Sequence, residues 1–245
     1  VSLRYHEIAE AGHRILNPFT DEKLELLGEV CRLRPGLRQL DLACGKGEML
    51  CRWAARHGIS GVGVDLSEVF LAAARARAAS LGVPERVRFI AGDAGRYLAT
   101  EPFDIVSCIG ASWIGGGLAG TLDLLRRALR GPDGLLLLGE PYWLAEPPPG
   151  AYQALGVGPG DFASLAGTLD RFEAAGVSLV EMVLADQDSW DRYVAAQWWT
   201  ITDWLRDNAD DPDAPAMREF LDAARRSHLE YGRDYLGWGV FVLRP

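Results

Sequence analysis

The chain has 245 residues, 49% of them hydrophobic and 24% charged, with a formal net charge of −9, a balance ordinary for a folded enzyme with a substantial core. The acidic balance excludes a nucleic-acid surface, which needs a basic stripe to displace counterions, and offers no attraction to an anionic membrane. No apolar run reaches the roughly 18–20 residues that span a bilayer, and the start VSLRYHEIAE has neither a basic head nor an apolar core, so a cytoplasmic location is expected.

Apolar runs at 37–42, 61–66, 86–91, 103–109, 134–139 and 177–184 alternate with helical patterns at 21–33, 46–57, 67–82, 118–130 and 161–175. That alternation predicts βαβ units and a parallel sheet with helices on both faces. Thr20 and Ser67 read as helix starts, and Gly58, Gly82, Gly131 and Gly176 as left-handed caps past helix ends. The segment Trp143–Asp161, WLAEPPPGAYQALGVGPGD, is expected to be irregular. Residues 186–236 follow the sixth strand and hold two aromatic-rich helical segments, and GWGVFVL at 237–243 predicts the last strand.

Between the first strand and its helix lies Asp41-x-Ala43-x-Gly45-x-Gly47. Glycines there let a ligand approach the backbone, and the helix start that follows has N–H groups suited to an anion. Asp65, at the end of the second strand, can accept both hydrogen bonds of a ribose diol. The order describes a pocket for a nucleoside with a small charged tail. A dinucleotide fingerprint, G-x-G-x-x-G/A, is incomplete, because its last position falls on Leu50.

The loop resembles motif I of class I S-adenosylmethionine-dependent methyltransferases, with Ala43 where glycine is commoner. VRFIAGDAGRY, FDIVSCIGASWIGGG and GPDGLLLLGEPYW resemble the family's third, fourth and fifth strands with their loops. LNPFT, GKGEMLCRWA, WIGGGLAGT, GEPYW, VEMVLAD, WDRY and GWGVF further resemble a group of bacterial small-molecule methyltransferases. The resemblance implies an α/β fold, a doubly wound seven-stranded Rossmann-like sheet, with S-adenosylmethionine as methyl donor and a small molecule as acceptor. It implies donor contacts from Asp41, Ala43, Cys44, Gly45, Gly47, Asp65, Leu66, Asp93, Ala94 and Ile109, with Asp93 facing the adenine amino group. It also implies a core of 1–185 plus 237–245, and a helical cap of 186–236 over the acceptor. A donor-binding protein without transfer activity, or a nicotinamide oxidoreductase, stands as the alternative.

On the acceptor side, Glu140 and His13 are the candidate bases. Arg14, Trp113, Tyr142, Trp143 and Trp198 are candidate substrate contacts, although aromatics at helical spacing are more often core. Arg14 suits an acidic acceptor or a neighbouring carboxylate, and the three glycines after Trp113 suggest a mobile loop. Cys31, Cys44, Cys51 and Cys108 lack paired-ligand spacing and read as buried thiols, and His6, His13, His57 and His228 are scattered, so no metal is expected.

Overall fold

The computed structural model describes residues 2–245. Helices α1 (Leu3–Ala9) and α2 (Asp21–Val30) precede β1 (Arg38–Leu42), α3 (Glu48–His57), β2 (Ser60–Asp65), α4 (Glu68–Ser80), β3 (Val87–Ala91), β4 (Ile105–Ile109), α5 (Leu118–Ala128) and β5 (Leu135–Trp143). Then come α6 (Pro149–Leu155), α7 (Leu165–Ala174), β6 (Ser178–Leu184), α8 (Gln187–Asp207), α9 (Ala214–Ser227), a π-helical turn (His228–Gly232), α10 (Arg233–Tyr235) and β7 (Leu236–Arg244).

The strands form one sheet of order β3-β2-β1-β4-β5-β7-β6, parallel except for β7. Its central strands are buried on both faces, because helices cover both, and the polar Gln39, Asp41 and Ser107 among them bond to one another. On one side Leu40, Val62, Val106, Leu136, Leu138 and Phe241 pack with Leu122 and Leu125 of α5 and Phe172 of α7. On the other, Leu137, Val240 and Val242 pack with Leu27 of α2 and Leu50 and Trp53 of α3. The chain winds outward from β1 in one direction and from β4 in the other. The carboxyl ends of these two strands therefore flank the switch point at which such sheets bind ligands.

Thr20 and Ser67 cap their helices, accepting from the N–H groups of Lys23 and Phe70. Gly58, Gly82 and Gly176 are left-handed, but Gly131 is not, because the chain leaves α5 in extended conformation at Leu129.

Two further expectations fail. Trp143–Asp161 is not irregular throughout, since α6 begins with Pro149 at its first turn, where a missing N–H costs nothing. The fifth strand also runs on to Trp143, with Pro141 paired to Trp238. Gly139 turns its carbonyl towards β4, accepting from Gly110. Pro141, two residues on, faces the same side past the end of β4, where no partner awaits its absent N–H.

Candidate functional site

The ends of β1 to β4 open into a cavity of about 850 Å³ lined by residues that include Asp41, Ala43, Cys44, Gly45, Asp65, Leu66, Asp93, Ala94 and Ile109. That is near the top of the usual range of about 300–1,000 Å³ for ligand sites. The loop after β1 turns through left-handed conformations at Ala43, Gly45 and Gly47, with φ of 58°, 53° and 63°. Ala43 carries a Cβ there at a cost of about 1 kcal/mol. Glycine is required next, because a Cβ at Gly45 would stand 2.6 Å from Leu16 and one at Gly47 2.6 Å from Phe89.

Asp65 faces this loop, its two oxygens accepting from the Gly45 N–H at 2.8 Å and the Ser67 N–H at 2.9 Å. The amide of Gly45 is thus not free for an anionic ligand. It fixes a carboxylate whose remaining lone pairs face the cavity. Asp41 is buried and accepts from Ser107 Oγ at 2.7 Å. Burial, with Asp65 nearby, pushes its pKa up to about 7 against that hydrogen bond. Asp93 stands at the cavity edge, with one oxygen accepting from the Gly95 N–H. Leu66 is 62% exposed there. Gly47 does not line the cavity and is spent on the turn.

After β4, Trp113 lines the cavity and is 69% exposed. The loop that carries it is pinned, correcting the expectation of mobility. Thr121 donates to the Ser112 carbonyl at 2.6 Å and accepts from the Gly115 N–H at 2.9 Å. Gly115 and Gly120 lie so close that a Cβ on Gly120 would sit 2.1 Å from the Gly115 carbonyl oxygen.

The rest of the cavity is mainly apolar, with Ile15, Leu16, Phe19, Met49, Trp190 and Trp238 among its walls. Tyr193 and Gln197 of α8 and Phe220 of α9 line it as well, as does Leu3 ahead of α1's remaining turns. The N-terminal segment is held down by Lys46, whose ammonium donates to the carbonyls of Glu10, Ala11 and His13 at 2.8, 3.0 and 2.6 Å. Glu10 and Lys46 escape a reading of the sequence. Their contacts join positions more than thirty residues apart, and only the cation between two glycines of the loop hinted at one of them.

Several predicted acceptor residues lie elsewhere. Glu140 shares a strand face with Leu136 and Leu138, towards α5 and α7, whereas Pro141 on the opposite face lines the cavity. Glu140 is therefore no base for a ligand in this cavity. Tyr142 is in the same core, and Trp143 packs edge-on against Tyr152 and Phe162 beside a separate hollow. Trp198 packs with Ala9, Ile201 and Met217 between helices. Arg14 does line the cavity but is occupied by carboxylates, its Nε 3.0 Å from Glu48 and a terminal nitrogen on Asp21. His13 is behind the wall, its ring 4.8 Å from that of Tyr193 and its Nδ1 3.0 Å from Glu10 Oε2, off the hydrogen-bond axis.

Burial pushes the Glu140 pKa up to about 7 from the usual 4.5, against the lowering effects of Ser112 and Arg171, and its Oε2 has no partner. The folded protein thus keeps a proton that the unfolded chain releases. The resulting penalty is absent below pH 4.5, grows as pH rises to about 7 and is constant above. At about 1.4 kcal/mol per pKa unit it reaches about 3 kcal/mol. Glu140→Gln is expected to remove this slope and to raise the Tm at pH 8 more than at pH 5. Equal shifts at both pH values in a thermal scan would contradict the assignment.

Among the described residues no cluster of three His, Cys, Asp or Glu could hold a metal, and no helix is long and apolar enough to cross a membrane. The cysteines are unpaired, and burial pushes the thiols of Cys31 and Cys51 up to about 12, which leaves them inert.

Residues 40–134 match the family described as "Methyltransferase domain". The chain is 50% identical to the uncharacterized protein YjhP of Escherichia coli over 242 residues, 98% of this chain and 97% of that protein. It is similar to a crystal structure of a SAM-dependent methyltransferase from Geobacter sulfurreducens in complex with S-adenosyl-L-homocysteine, at TM-score 0.95 and 49% identity, covering 100% of this chain and 98% of the other. A second such complex, from Thiobacillus denitrificans, matches at TM-score 0.94 and 47% identity over 99% of this chain and 98% of the other.

Proposed function

The chain belongs to the class I S-adenosylmethionine-dependent methyltransferases, and we propose that it binds that donor across the ends of β1 to β4 and methylates a small molecule held beneath α8. The observation that carries this reading is Asp65. It is a carboxylate locked by two backbone amides beside a glycine turn, with lone pairs left for a diol. The exposed face of Leu66, the buried Ala94 and the edge carboxylate of Asp93 suit a flat purine whose amino group needs an acceptor. Asp41 suits a group that donates from the donor's charged tail. When bound, the donor supplies an electrophilic methyl on a positively charged sulfur.

The residues of the chain align and enclose. Alignment of two reactants can be worth roughly 7–11 kcal/mol, and the apolar walls keep water from competing for the methyl group. The helices after β6, together with the N-terminal segment latched by Lys46, act as the cap of the acceptor space, which makes residues 186–236 a capping unit on the core. Trp113, on its pinned loop, stands beside the reacting centre and shields it or stacks on a ring. Neither expected base touches the cavity, so a proton released by the acceptor passes to water at the open side of the cavity.

The test is transfer itself. Purified protein, methyl-labelled donor and a bacterial metabolite extract are expected to yield at least one labelled small molecule, separated by liquid chromatography. Donor binding with no labelled product from any extract would favour a binding protein that has lost transfer.

A further inference from the structure

Tyr193 and Gln197 stand one turn apart on α8, and both line the cavity. Both donate to the same buried oxygen, Glu10 Oε1, from Tyr193 Oη at 2.5 Å and from Gln197 Nε2 at 2.6 Å. Glu10 is 1% exposed. Burial alone would raise its pKa, but the nearby His13 and the Tyr193 hydrogen bond hold it below the usual carboxylate value. An ionised carboxylate accepts and never donates. The phenol proton and the amide NH2 are therefore turned towards Glu10, and the reversed amide would set a carbonyl against a carboxylate. Gln197 also hydrogen-bonds to Tyr193, which takes its second N–H and one lone pair of the phenol oxygen, so what these two side chains can offer a ligand is the remaining lone pair of Tyr193 Oη and the carbonyl Oε1 of Gln197.

Two cations of the cavity already have partners of their own. Lys46 spends its three N–H groups on three carbonyls and Arg14 is held by Glu48 and Asp21. His6, also at the wall, packs edge-on against Phe70 of α4. Against Arg14 and Lys46 the walls carry the acidic side chains of Asp41, Glu48, Asp65 and Asp93.

We propose that Glu10 makes Tyr193 and Gln197 a paired hydrogen-bond acceptor, and that the site selects a neutral, largely apolar ring molecule that presents a hydroxyl or N–H donor to them and rejects carboxylated analogues. This rests on the donor assignment above, which fixes which half of the cavity is left for the acceptor. A hydroxyl anchored here gains a partner, whereas its ether leaves two buried acceptors facing a third. A carboxylate meets the same lone pairs, and the nearest arginine, Arg14, is already paired with Glu48 and Asp21.

The experiment is calorimetry on protein saturated with S-adenosylhomocysteine, titrated with 2-naphthol, 2-methoxynaphthalene and 6-hydroxy-2-naphthoate. The naphthol is expected to bind, and each of the other two to bind at least about tenfold more weakly. In Glu10→Gln the new amide can donate, which frees Tyr193 to turn its proton inwards, and the penalty on the methoxy compound is expected to fall below about threefold. Gln197→Leu is expected to cut the penalty as well, with unchanged affinity for S-adenosylhomocysteine serving as the control for folding. The proposal is overturned if the ether or the carboxylate binds as tightly as the naphthol, or if none of the three binds. Failure of S-adenosylhomocysteine itself to bind would strike the donor assignment instead, and is read before any probe is added.

Discussion

Asp65→Ala is expected to weaken the binding of S-adenosylhomocysteine by roughly 10²–10⁴-fold, because two hydrogen bonds to a charged acceptor are worth about 1.5–3 kcal/mol each. The carboxylate is held by the Gly45 and Ser67 amides at 2.8 and 2.9 Å, so it needs no reorganisation to meet a diol. Alanine removes the partner of both amides and adds some loss of stability, which water at the open side of the cavity limits. Asp65→Asn retains one acceptor oxygen but turns an NH2 towards one of the amides, and an intermediate loss of about tenfold is expected. Calorimetry with the wild type and both variants checks the order. An alanine variant with wild-type affinity would mean that the ribose is held elsewhere.

Much of this architecture can be read from the chain before it folds. Central strands covered on both faces are rich in Val, Ile and Leu even where Gln39, Asp41, Gly63 or Ser107 interrupts them, and their ends fall within one or two residues of the predicted limits in β1 to β4. The glycine loop and Asp65 are legible for a related reason, since backbone geometry at 43–47 tolerates few side chains. Legibility stops where orientation depends on a distant partner. Glu140 reads as a base because it follows the apolar run 134–139, at the expected strand end; once β5 continues to Trp143, the period of two sends Glu140 to the face of Leu136 and Leu138. On α8 the aromatics do not act together. Trp190, Tyr193 and Gln197 form the stripe that lines the cavity, while Trp198, Ile201 and Leu205 form another that packs in the helical core. Helical period separates the two stripes, but only the docking of α1 against α8 decides which one meets the ligand. Glu10 and Lys46 lie at contacts of that docking.

Glu48→Ala is expected to destabilise the protein by about 3 kcal/mol, lowering the Tm by roughly 6–12 °C. Glu48 is buried at the first turn of α3, where a negative charge also suits the helix N-terminus. Its carboxylate takes Arg77 of α4 through two bonds at 2.7 and 2.9 Å, Arg52 of its own helix at 2.9 Å and Arg14 of the N-terminal segment at 3.0 Å. Asp21 of α2 bridges Arg14 and Arg52 in turn, so the cluster around Glu48 joins three helices and the segment over the cavity. Removing one member of a buried ion pair typically costs about 3–5 kcal/mol, and the lower figure applies because Asp21 still compensates two of the arginines and all three reach solvent. Glu48→Gln keeps the shape and some of the hydrogen bonds, and is expected to lose less stability. It has a second consequence, since Arg14 then faces the cavity with half of its compensation gone. The glutamine variant is expected to bind 6-hydroxy-2-naphthoate more tightly than the wild type does, at unchanged affinity for S-adenosylhomocysteine. A Tm within 1–2 °C of wild type in the alanine variant would show that the four groups are separately solvated rather than joined. A glutamine variant that still rejects the carboxylated probe would show that the facing lone pairs of Tyr193 and Gln197, rather than the capture of Arg14, set the selectivity.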